Sequence, residues 1–216
     1  MTFVAAPLSG RLSVRIPVRL LLGTGLLMIG VGLLLQTDVN ASSGWTVLIP
    51  GFIIGGFGVG LVNPALASTA VGVVPPARSG MASGINSTFR QVGIATGIAG
   101  LGAVFQHQVT TKTVSEIVSA PHGAEIITAT HGALPGALQA GGVGQLAAAL
   151  PQAARAVLSH AYRSGFTSAF SEITLIAAII ALVGSAFAYV LVRPQDFVAT
   201  GDQIKAPEET PEAVPA

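Results

Sequence analysis

Four stretches of the sequence are long and apolar enough to cross a lipid bilayer as helices, and nothing else in the chain constrains its fold as strongly. They run from Leu20 to Gln36, from about Trp45 to Val73, from about Gly80 to Phe105 and from about Phe166 to Val192. Within lipid every backbone polar group needs an internal partner, so such runs form helices. Composition agrees: 9% of the residues are charged, against roughly 25% in an ordinary soluble domain. The 27 glycines suit helices that approach closely where lipid removes the usual hydrophobic drive to associate.

The expected fold class is therefore all-α, an integral membrane bundle of four transmembrane helices plus an N-terminal helix stub. Met1 to Leu8 is apolar but too short to cross, and reads as the end of a preceding helix whose start the chain lacks. The expected organisation is a stub and cytoplasmic arginine loop over 1–19, three spans over 20–105, an extracytoplasmic loop over 106–165 and a last span over 166–192. The tail, 193–216, is rich in Pro and Glu, cannot bury a core and is expected to be disordered. Within 106–165, Pro151 to Ser164 has the pattern of a short helix lying on the membrane surface. A signal peptide is the competing account of Arg11 to Gln36, but the apolar run is long for one and three more spans follow.

Charge orients the set. Arg11, Arg15 and Arg19 precede the first span, Arg78 lies between the second and third, and Arg193 follows the fourth. If the helices alternate, all five share one side, which the positive-inside rule makes cytoplasmic together with the C-terminus. A net charge of +1 supplies no broad basic surface, so nucleic acid is not an expected partner. The absence of cysteine removes disulfides, thiolate metal sites and thiol nucleophiles. His107, His122, His131 and His160 lack metal-ligand spacing, and no nucleophile–base set or phosphate loop stands out. No cofactor and no enzymatic activity are expected; the lipid bilayer is the evident partner.

Three regions carry functional information. The first is the loop Gly10-Arg11-Leu12-Ser13-Val14-Arg15-Ile16-Pro17-Val18-Arg19, which by composition alone is a basic anchor at the interface. The second span holds Gly51, Gly55, Gly56 and Gly60 at small-xxx-small spacing, then Pro64, where a missing N–H predicts a bend. The third span is the most informative. Arg90 lies ten residues past Gly80, roughly 15 Å into a core of about 30 Å. A charge at that depth costs at least about 2.5 kcal/mol and must face protein or water. Ser83, Asn86, Ser87 and Arg90 share one helix face, with Gln91 next to Arg90 in sequence. That polar stripe lines a cavity or an interhelical contact, unless Arg90 snorkels to the interface. Glu172, the only acid inside an expected span, is a possible proton site or a carboxylate facing water at a helix start.

The arginine loop resembles the G-x-L-x-x-R-x-G-x-R motif of the major facilitator superfamily: Gly10, Leu12, Arg15 and Arg19 match, while Pro17 stands where Gly is usual. Pro75, Arg78, Gly80, Ala82, Ser83, Gly84, Arg90, Gln91, Gly93 and Gly97 resemble the penultimate span of its fourteen-helix drug:proton antiporter branch, the EmrB/QacA type. The resemblance covers nearly the whole chain, up to Arg193. It implies the last four spans of such a transporter, a C-terminal piece in the plasma membrane. It also implies small amphipathic or cationic substrates exchanged for protons, with the missing N-terminal helices as partners and no activity in isolation. The alternative is a self-contained four-span accessory or structural protein in which the arginine loop is only an anchor.

Overall fold

The computed structural model describes residues 16–40, 43–121, 123–130 and 132–193. These form seven α-helices and, among the described residues, no strand: α1 (Val18–Leu34), α2 (Ile49–Gly72), α3 (Ser79–Ser119), α4 (Gly123–Ala129), α5 (Leu134–Gln139), α6 (Val143–Ala149) and α7 (Gln152–Leu191). Short 3-10 turns, Trp45–Leu48 and Pro76–Arg78, lead into α2 and α3. Four spans were expected; among the described residues two helical stretches are both long and apolar enough to cross a membrane, Trp45–Gly72 and α7. α1 is apolar but shorter, at 17 residues, and α3 is long but, with its polar stripe, less apolar. Gly10, Arg11 and Arg15, the N-terminal stub and the tail beyond Arg193 lie outside the described residues.

α1 is the keystone of the packing, lying against both α2 and α7. Its glycines form two sets, Gly23 with Gly30 and Gly25 with Gly32. Seven residues is close to two full turns, so each set lies on one face; two residues is about 200°, so the faces are opposite. Gly25 and Gly32 meet α2, where a Cβ on Gly32 would lie 2.7 Å from the Gly55 nitrogen and one on Gly58 would lie 2.5 Å from the Gly25 carbonyl oxygen. Gly23 and Gly30 meet α7, seating the Tyr189 ring and Leu182. The buried Ser185 hydroxyl donates to the Gly23 carbonyl at 2.8 Å, adding a polar tie where the backbones are near. Of the glycines expected to pack, Gly51 lies against Gly32 and Gln36, and Gly55 is the backbone that Gly32 meets. α2 continues as helix through Pro64.

The segment expected as a loop is largely helical. α3 passes Phe105 and runs on to Ser119, and α7 begins at Gln152, well before Phe166. Each has about 40 residues, near 60 Å, roughly twice the thickness of a hydrocarbon core. The physical reason is that falling hydropathy does not end a helix. From Gln106 to Ser119 there is neither Gly nor Pro, and the first breaker is Pro121. The expected surface helix, Pro151 to Ser164, is helical but is the first part of α7 rather than a separate element. Val109, Thr113 and Ile117 on α3, and Ala154, Leu158, Ala161, Gly165 and Ala169 on α7, are buried at helical spacing where the two extensions pair. Gly165 lets α7 close on Thr113, whose buried hydroxyl has no hydrogen-bond partner among the described residues. Above them α4, α5 and α6 complete a second core of Ile126, Leu134, Leu138 and Leu150 around Ile117 and Leu158.

Close approach through α1 makes a direct demand on stability. Gly32→Leu, which pushes a side chain into the α2 backbone, should destabilise the detergent-solubilised protein by about 1–3 kcal/mol. Gly97→Ala, where a Cβ meets nothing within 4 Å, should change stability by no more than about 0.5 kcal/mol. Thermal unfolding of both variants measures the contrast, and equal losses would contradict the packing.

Candidate functional site

Two regions gather polar side chains in an otherwise apolar bundle. The first is the beginning of α3. From Ser79 through Gln108 no residue is buried, and α3 touches α2 only sparsely. Ser83, Asn86, Ser87 and Arg90 share a face, as their spacing requires. Ser83, Ser87, Arg90 and Gln91 are exposed and Asn86 is half-buried. Arg90 has no hydrogen-bond or ion-pair partner among the described residues. At Gly80, Gly84, Gly93, Gly97, Gly100 and Gly102 an added Cβ would meet nothing within 4 Å. The contrast with α1 is direct: its glycines are filled by neighbours, whereas those of α3 have none among the described residues. Phe89 and Ile98 are exposed on the same helix, at 74% and 71%.

The second region lies where the two long helices leave the bundle. Glu172 was expected within a span, about one and a half turns from its outer end. The structure places it twenty residues into α7, away from any helix start, which removes the helix-dipole explanation of its charge. One carboxylate oxygen accepts from the Gln108 amide at 2.6 Å, the other from the Lys112 ammonium at 2.6 Å. Both partners are on α3. The Ser164 hydroxyl donates to Glu116 at 3.0 Å, and Phe105 and Phe166 meet edge to face at 5.2 Å. These contacts pin the α3 and α7 extensions together. The Lys112–Glu172 pair is about one-third exposed on each side, so solvent screens it and it serves register more than stability.

Beside this pair lies an open cavity of about 790 Å³. One wall is the row Ser164, Thr167, Ser168 and Ser171 on α7, and the other is Thr37 to Asn40 just after α1. A smaller apolar hollow of about 280 Å³ adjoins it, with Tyr162 and Phe166 in its wall. The hydroxyl row was legible as an i, i+3, i+4, i+7 pattern; that Lys112 faces Glu172 was not, because 60 residues separate them. Arg19 and the two glycine pairs Gly51/Gly55 and Gly56/Gly60 belong to α1 and α2 and are part of neither the α3 stripe nor the cavity wall. Among the described residues no cluster of His, Asp and Glu is arranged to hold a metal ion.

A helical bundle built on glycine contacts, with a polar stripe and an exposed arginine on one helix, has the makings of a membrane transporter. The chain belongs to the Major Facilitator Superfamily, whose family model matches residues 1–114. Among individual proteins it is similar to the multidrug efflux pump LfrA of Mycolicibacterium smegmatis, 31% identical over 173 residues, which take in 80% of this chain and 32% of that pump. It is also 39% identical over 101 residues to the multidrug resistance protein Stp of Mycobacterium tuberculosis, covering 47% of this chain and 19% of Stp. A probable actinorhodin transporter of Streptomyces coelicolor is 33% identical over 85 residues, 38% of this chain and 15% of its own. The chain thus spans about a third of the length of the first of these relatives and less of the others. No solved structure matches it significantly.

Proposed function

We propose that this chain is the C-terminal part of a fourteen-span multidrug efflux transporter that exchanges small amphipathic or cationic compounds for protons across the plasma membrane. The observation that carries the reading is the beginning of α3, a helix with a polar stripe, an arginine and a run of open glycines that none of the described residues covers. Similarity to proteins named as multidrug efflux and resistance proteins supports the substrate class.

Physically, a guanidinium on a lipid-immersed helix needs water or protein around it. Further helices of the same transporter, seated on the α3 glycines, would bury that face and leave a polar cleft at Ser83, Asn86, Ser87 and Arg90. Alternating access requires a second repeat rocking against the first around such a cleft. The chain alone accordingly inserts but does not transport. Glu172 is the candidate proton carrier, an acid held between Gln108 and Lys112 at the α3–α7 contact. The arginine-flanked ends are cytoplasmic and the helical cap over 106–165 is external.

Two measurements test this reading. In proteoliposomes loaded with a fluorescent cation, the isolated chain should give no gradient-dependent movement, while the complete transporter should. Arg90→Leu in that transporter should lower transport at least about tenfold, the loss of roughly one charge-assisted contact. Protonophore-sensitive transport by the isolated chain would overturn the proposal. For orientation, single cysteines at Ala77 and Ser159, both exposed, distinguish the two faces on intact cells. An impermeant thiol reagent should label position 159 and not 77; the reverse pattern would invert the topology.

A further inference from the structure

The cavity beside Lys112 and Glu172 has three features that belong together. It carries charges of both signs, it has a ladder of hydroxyls, and it opens onto an apolar surface at the level where α1 ends. The carboxylate of Glu172 is already satisfied by two donors from α3. Lys112, by contrast, has spent one of its three N–H groups on that bond and keeps the others free for a second acceptor. Across the cavity, Asp38 is exposed and has no side-chain partner among the described residues. One unspent cation and one unspent carboxylate thus face the same space, with the hydroxyls of Thr167, Ser168 and Ser171 along the α7 wall.

A ligand complementary to this arrangement carries a phosphate and a primary ammonium within one small group. The phosphate takes Lys112 and the hydroxyls; the ammonium takes Asp38. The cavity is large enough for such a group, since small-molecule sites commonly fall between about 300 and 1,000 Å³. Its setting adds the rest of the molecule. Thr37 and Asp38 follow directly on the end of α1, a 17-residue apolar helix about 25 Å long, so the cavity sits at headgroup depth. Leu175, in the cavity wall, and Ile179 one turn along α7 are exposed, at 43% and 52%, on the membrane side of the hydroxyl ladder.

We propose that this cavity is a binding site for the headgroup of an ethanolamine phospholipid from the leaflet on the cap's side, with an acyl chain lying along Leu175 and Ile179. A bound headgroup fills the gap between the α1–α2 connection and α7, and so braces the α3–α7 pair against the bundle. The site is separate from the α3 stripe, and its occupancy does not depend on which compound the transporter moves.

Native mass spectrometry of the delipidated chain, titrated with defined lipids, tests the proposal. Phosphatidylethanolamine should bind about tenfold more tightly than phosphatidylcholine, whose quaternary ammonium has no N–H to donate, and than phosphatidylglycerol, which has no cation for Asp38. Asp38→Asn, a change at an exposed position that the fold does not use, should remove this preference for ethanolamine and leave phosphatidylglycerol binding unchanged. Lys112→Met should weaken all phosphate-bearing lipids, with thermal unfolding as the check that the α3–α7 pair survives. Equal binding of the three lipids would show only an unselective lipid annulus and overturn the proposal. Tighter binding of phosphatidylglycerol would make this a plain anion site, and binding of glycerophosphoethanolamine as tight as the intact lipid would make it a site for a soluble ligand. Either result contradicts it.

Discussion

The structure depends on how closely α1 approaches its two neighbours. Between apolar helices in lipid there is no hydrophobic gain from association, and contact energy comes from packing and from polar ties across the interface. α1 maximises both by placing glycines on two opposite faces. One set receives α2 backbone to backbone at Gly51, Gly55 and Gly58; the other seats Tyr189 and Leu182 of α7 beside the Ser185 hydrogen bond. With α2 and α7 fixed against α1, α7 has its direction, and its long extension determines where α3 pairs with it. The Lys112–Glu172 and Glu116–Ser164 contacts, and the cavity beside them, follow from that chain of placements.

α3 shows how one helix can belong to two environments. Beyond Gln108 it is packed, with Val109, Thr113 and Ile117 buried against α7 and the capping helices. Before that point the described residues cover it only sparsely, although its sequence has the glycine content of a tightly packed membrane helix. A stretch rich in unfilled glycines loses backbone entropy and helix propensity without the close contacts that compensate elsewhere. On the function proposed above, further helices of the same transporter would resolve that imbalance.

Much of the helical bundle was legible in the sequence, because apolar length is a strong signal. The second span, expected from Trp45 to Val73, agrees closely with the 3-10 turn and α2. The ends of the third and fourth were not legible from hydropathy, since falling hydropathy does not end a helix: α3 runs on to Ser119, just before Pro121, and α7 continues through Gly165 back to Pro151. A search for breakers rather than for polarity would have found Pro121 and Pro151. Gly51 and Gly55 were recognised on α2, but their partners Gly25 and Gly32 were not. The seven-residue repeat in Gly23, Gly25, Gly30 and Gly32 was the available signal. The polar stripe on α3 needed only helical geometry. The partners of Glu172 needed tertiary pairing, which a single sequence does not supply.

The central claim is that the bare half of α3 presents its polar stripe to a water-filled cleft in the assembled transporter. Cysteines placed one at a time from Met81 to Ile94, in the complete transporter in native membranes, and probed with a small water-soluble thiol reagent, test it most directly. The account predicts a helical periodicity, with fast reaction at positions 83, 86, 87 and 90 and protection at 81, 85, 89 and 92. Uniform protection along the segment, or a reactive face centred on Phe89, would contradict it.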